Sequence, residues 1–159
     1  MPCDLPTAFL EAKFTGALTA DVHWTAATLE CDGMRRPGVR GFRLRLSGTV
    51  DERPLTLVFG TNDLAEGEDG VDVPVNLTII AEGLGVYGTR GEGHCTFEAA
   101  EQTALPTDPA TPDRHRWQLD AHGFCLDATH AIDASGDAIL PVRFRLRGVY
   151  AWDPDPTTP

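Results

Sequence analysis

The sequence predicts an all-β protein: an antiparallel β-sandwich of jelly-roll or Ig-like type, or a flattened barrel, of about eight to ten strands with one or two short helical turns. Three observations carry this. The clearest periodic segments alternate apolar and polar residues with period two, which sends successive side chains to opposite faces of a sheet. Sixteen glycines and 12 prolines are spread along 159 residues, which implies many tight turns between short strands. No segment sustains the 3.6-residue apolar repeat of a long helix.

In chain order, residues 5–13 can form a turn or two of helix, and residues 13–18 and 22–29 read as strands. Turns follow at Cys31-Asp32-Gly33 and Pro37-Gly38. The next strand is the clearest: residues 41–48 alternate Phe42, Leu44 and Leu46 with Arg43 and Arg45. Residues 55–59, 75–81, 86–90 and 94–97 are further strands, separated by glycine turns at 66–70 and 82–85. Residues 97–105 contain helix formers and can make two helical turns. The proline-rich stretch 106–113 cannot supply ladder donors and reads as an exposed loop. Residues 115–121 and a piece around Phe124 are strands, 125–132 can form another helical turn, and 135–137 is a turn. Residues 142–148 then nearly repeat 41–48, with Val142, Phe144 and Leu146 inward and Arg143, Arg145 and Arg147 outward. One domain is expected over residues 1–152, followed by a Pro-rich tail at 153–159.

A formal charge of −11 excludes a general nucleic-acid binder, which needs a basic contact face. No apolar run approaches the ~20 residues of a transmembrane helix, so no membrane span is expected. Twelve of the 13 basic residues are arginine, with Lys13 the single lysine, a skew typical of a GC-rich bacterial genome.

Cys3, Cys31, Cys95 and Cys125 are even in number and permit full pairing. Cys95 with Cys125 is favoured because both sit in strand-like segments beside aromatic residues, which leaves Cys3 with Cys31. Disulfides imply the periplasm, cell surface or exterior. The chain shows no basic, apolar leader, so this expectation requires one to have been removed. Cys3 then suits either a disulfide or the remnant of a lipoprotein acylation site.

Four constellations are candidates for chemistry. His94, Cys95, His122 and Cys125 offer nitrogen and sulfur ligands for zinc. Asn62, Asp63, Glu66, Glu68, Asp69 and Asp72 place six oxygen-bearing side chains within eleven residues, the hard-ligand chemistry of Ca²⁺, although without EF-hand spacing. Hydrolysis has no elbow, Walker or HExxH motif to rest on, and its serine would have to be Ser47 or Ser135. Arg43, Arg45, Arg143, Arg145 and Arg147 would form a five-guanidinium face if their two strands were neighbours, suited to carboxylates, sulfates or phosphates.

Trp24 and Trp117 fall in alternating strands and are expected in the core. The sequon at Asn76 lies in a strand pattern and carries no weight. The resulting expectation is an extracytoplasmic bacterial binding or envelope-associated module without catalysis, whose partner is a protein, glycan or anionic ligand. The alternatives are a small secreted hydrolase using carboxylates in a cleft and a zinc-bound β protein.

Overall fold

The computed structural model describes residues 5–89, 94–133 and 135–153. The strands are β1 (Phe9–Gly16), β2 (Ala20–Thr25), β3 (Glu30–Arg35), β4 (Phe42–Val50), β5 (Arg53–Gly60), β6 (Gly70–Ala81), β7 (Gly85–Gly88), β8 (Cys95–Ala104), β9 (His115–Cys125), β10 (Thr129–Ala131) and β11 (Ala138–Trp152). Pairing runs β3-β4-β5-β6-β8-β9-β11 and returns to β3, so the sheet closes on itself. The architecture is the expected all-β fold of sandwich-like or flattened-barrel type, with eleven strands among the described residues instead of eight to ten. All strand pairings are antiparallel except the closing one, where β11 meets β3 in parallel at Ala151 and Met34. The β1–β2 hairpin extends the sheet from the first half of β11, while β7 and β10 bridge β6 to β11.

Inward positions follow the alternation. Phe42, Leu44 and Leu46 are fully buried while Arg43 and Arg45 are exposed. Phe59, Phe97 and Phe144 pack with ring centroids 5.1 to 5.9 Å apart, edge and offset arrangements that add to their area burial.

The structure differs from the expected elements in three places. Among the described residues there is no helix: residues 5–13 lead into β1, 97–105 lie largely in β8, and 125–132 hold a turn and β10. Helix propensity in Glu98-Ala99-Ala100-Glu101-Gln102 is overridden because β8 is paired on both sides, to β6 and β9. Cys31-Asp32-Gly33 is strand, not turn. There Gly33 lies against Tyr150, where a Cβ would sit 2.5 Å from the Tyr150 Cβ, so the absent side chain lets β3 close against β11. Finally, Val142 is not part of the inward set. A β-bulge between Lys13 and Phe14 in register skips Val142, so Pro141 and Phe144 point inward and Val142 and Arg143 share the outer face. Residues 90–93, including the end of the expected strand 86–90, and the tail beyond 153 lie outside the described residues.

The stretch between β5 and β6 is fastened by Gln102. Its side-chain amide donates to Ala65 O (3.1 Å) and Glu68 O (2.8 Å), and its Oε1 accepts from Gly67 N (3.0 Å) and from the Tyr150 hydroxyl. Burial is the main reason the Tyr150 phenol is pushed well above its usual range, and the Glu66 charge pushes it the same way. The native state therefore keeps a proton that the unfolded chain releases near pH 10. The contribution of this group to stability is full below that pH and is lost as pH rises above it. In urea titrations the unfolding midpoint should drop between pH 9 and about pH 11. Tyr150→Phe should flatten that drop without abolishing it, because burial raises the Tyr87 phenol too. An equal alkaline slope in both proteins would remove Tyr150 from this role.

Candidate functional site

The outer face of β2, β1, β11 and β9 carries a groove of about 550 Å³, bordered on its far side by Glu98 of β8. Alternation brings the lining together, because the outward residues of four adjacent strands fall into cross-strand rows. One row is Asp21, Lys13 and Arg143. The next is His23, Glu11, Arg145 and His122. The third, outside the groove proper, is Phe9, Arg147, Asp120 and Glu101. The floor between rows is made by Ala12, Phe144 and Gly123, whose side chains or Cβ positions face the core.

Two β-bulges flank this groove. On β11 the extra residue is Val142, immediately before Arg143; on β8 it is Glu98, where Phe97 pairs with Gly123 and Ala99 with His122. Each bulge places two consecutive residues on the outer face, and bulges of this kind re-aim side chains at functional sites. Gly123 is needed at the second one: a Cβ there would sit 1.8 Å from Thr96 O.

The electrostatics are uneven along β11. Arg147 forms an ion pair with Asp120 (Nε to Oδ1, 2.5 Å) and lies over the Phe9 ring at 5.8 Å, so it is committed to its neighbours. Arg145 lies over the same ring at 5.8 Å. Among the described residues, no carboxylate comes within ion-pair distance of Lys13, Arg143 or Arg145. Lys13 and Arg143 stand directly opposite each other, a like-charge cross-strand pair that costs stability. It occurs in a protein whose 24 acidic residues outnumber its 13 basic ones.

The chain matches no family model, no curated protein and no solved structure.

The five arginines do not form one face. β3 stands between β4 and β11, so Arg43 and Arg45 are separated from Arg143, Arg145 and Arg147. Arg43 instead borders a smaller hollow of about 260 Å³ with Arg36, Asn76 and Thr78, where Arg36 donates to Thr61 O (3.3 Å) and Asn62 Oδ1.

The six candidate calcium ligands are divided among separate partners. Asn62 accepts from Arg36, Asp63 and Glu68 meet Arg40 (3.5 and 2.9 Å), Glu66 binds His115 and Trp117, and Asp69 accepts the Gln102 N–H (2.8 Å). Asp72 lies beyond them in β6, on left-handed backbone (φ 51°). Among the described residues, no group of three or more His, Cys, Asp or Glu could hold a metal ion.

Cys95 and Cys125 are directly paired across β8 and β9 and joined as a disulfide, as expected. Their sulfurs are thus not available as the thiolates a zinc site requires. The two histidines of that set also part: His94 Nδ1 meets Asp127 at 2.8 Å, while His122 lines the groove. Cys31 is disulfide-bonded, and its expected partner Cys3 lies outside the described residues. Ser47 bonds the Thr56 hydroxyl, and Ser135 accepts from Asp137 N in its turn. Trp24 is buried over Gly48 and donates to Thr49 O, whereas Trp117 is only half-buried.

Glu11, Asp21, His23 and Glu98 carry no mark in the sequence beyond an outward strand position. The available signal was Lys13, the single lysine, at an outward strand position.

Proposed function

We propose that this protein is an extracytoplasmic, non-catalytic binding module that takes an anionic ligand in the groove over β1, β11 and β9. The observation that supports this reading best is the opposed, unpaired Lys13–Arg143 pair with Arg145 beside it, set at a bulge. Forked guanidinium bonds to a carboxylate, sulfate or phosphate would relieve the repulsion that the free protein carries. The location rests on the Cys95–Cys125 disulfide, which persists in oxidising compartments. No helix among the described residues is long and apolar enough to cross a membrane.

Calorimetric titration with citrate and with inorganic sulfate tests the reading. Arg143→Gln should weaken binding by about tenfold, the loss of one charge-assisted contact at a partly solvated site. It should leave the thermal midpoint unchanged or slightly higher, because the like-charge pair is removed. Arg45→Gln, on the other side of β3, should bind as the parent does. Equal affinity of the parent and Arg143→Gln, or equal losses in both variants, would refute the assignment.

A further inference from the structure

We infer that the groove is built for a zwitterion, a small molecule or terminus carrying a carboxylate or phosphate at one end and an ammonium at the other. This rests on the anion-binding reading above and adds a second pole to it. The groove's basic wall is Lys13, Arg143 and Arg145, contributed by β1 and β11. Facing it across β9, the β8 bulge pushes Glu98 outward beside Ala99 on the same face, so that two residues oppose His122 alone. Among the described residues, Glu98 has no ion-pair or hydrogen-bond partner. Glu98 thus has no cation partner on its wall, while Lys13, Arg143 and Arg145 are, among the described residues, in no ion pair on theirs, although Glu11 and Asp21 stand in neighbouring cross-strand positions.

The remaining carboxylates of the groove do not serve this second pole. Asp21 lies opposite Lys13, and Glu11 lies between His23 and Arg145. Both stand within the basic side's own rows and temper its charge. Only Glu98 comes from beyond β9. β11 and β8 are separated by two strand spacings, about 9 to 10 Å between backbones. That spacing is within the reach of an extended chain of several atoms. The floor of Ala12, Phe144 and Gly123 is low, and His122 is the β9 side chain of the lining that stands on the outer face between the two walls. The ligand class is thus an ω-amino acid or its phosphate counterpart, lying across the strands with its anionic group at Arg143 and its ammonium at Glu98.

Chemical-shift titrations with 6-aminohexanoate, hexanoate and hexylamine separate the two claims, since these probes share a chain and differ only in charged ends. The parent should bind 6-aminohexanoate about tenfold more tightly than hexanoate, one extra charge-assisted contact. Glu98→Gln should reduce 6-aminohexanoate to the affinity of hexanoate while leaving hexanoate itself unchanged, and Arg143→Gln should weaken both. If hexanoate binds as tightly as 6-aminohexanoate and still depends on Arg143, the zwitterion inference fails while anion binding stands. If neither anionic probe binds, both readings fail. Binding of hexylamine that depends on Glu98 and ignores Arg143 would also overturn the inference, because the poles would then be independent sites.

Discussion

Replacing Cys95 and Cys125 together by alanine should lower the unfolding free energy by about 3 to 4 kcal/mol, the chain-entropy value for a closed loop of this length. The two cysteines are 30 residues apart and directly opposed in the β8–β9 ladder. Without the covalent link, the unfolded chain regains the freedom of the intervening loop, including the proline-rich stretch 106–113, while the native ladder keeps its hydrogen bonds. Alanine is the informative substitution: both sulfurs are buried, and serine would add the cost of an unsatisfied hydroxyl. Reduction by thiol is a poorer test, because Cys31 is also disulfide-bonded and both links would open together. Urea denaturation of the oxidised parent and of the double variant is the measurement, and coincident midpoints would show that the bridge contributes nothing.

A loss of at least about 3 kcal/mol is expected from Gly123→Ala, at the upper end for a single overpacked position. The added methyl would meet Thr96 O at 1.8 Å, with Thr96 C at 2.9 Å and the Phe97 Cα at 3.0 Å. All three are backbone atoms, so no side chain can swing away, and relief requires β8 and β9 to separate at the bulge. The Cys95–Cys125 bridge, two residues along β9, resists that movement. Gly88→Ala in β7 is the control: nothing lies within 4 Å of its Cβ position, and the change should stay within about 0.5 kcal/mol. If the two variants melt alike, the close approach at Gly123 is not a constraint. The same displacement moves Glu98 and His122, so whatever Gly123→Ala protein remains folded should bind groove ligands poorly.

The legible parts of the fold were those where chemistry and period agreed. Phe42, Leu44 and Leu46 alternate with charged residues, are flanked by glycines, and are buried as the pattern requires. Cys95 and Cys125 were matched because each sits beside an aromatic residue in a strand-like run. The helix-forming composition of residues 98–102 misled, since composition reports local preference and β8 is decided by partners distant in sequence. The bulge at Val142 was invisible for a related reason: Val142 and Pro141 are both acceptable inward residues, and only the register against Lys13 and Phe14 chooses between them. The site was less legible than the fold. Each of its residues is an ordinary outward side chain, and the sequence does not state that β2, β1, β11, β9 and β8 lie side by side. The arginine repeat is plain in the sequence, yet β3 intervenes between its two halves.

The 15-residue strand β11 is shared by β1, β3, β9 and β10. During synthesis these four partners emerge first and wait with open edges, unable to complete the ring or assemble the groove. A nascent chain arrested after β10 would therefore present vulnerable, adhesive borders to chaperones or to other copies. Emergence of β11 then supplies the missing neighbour of all four, making ring closure a late event in biogenesis.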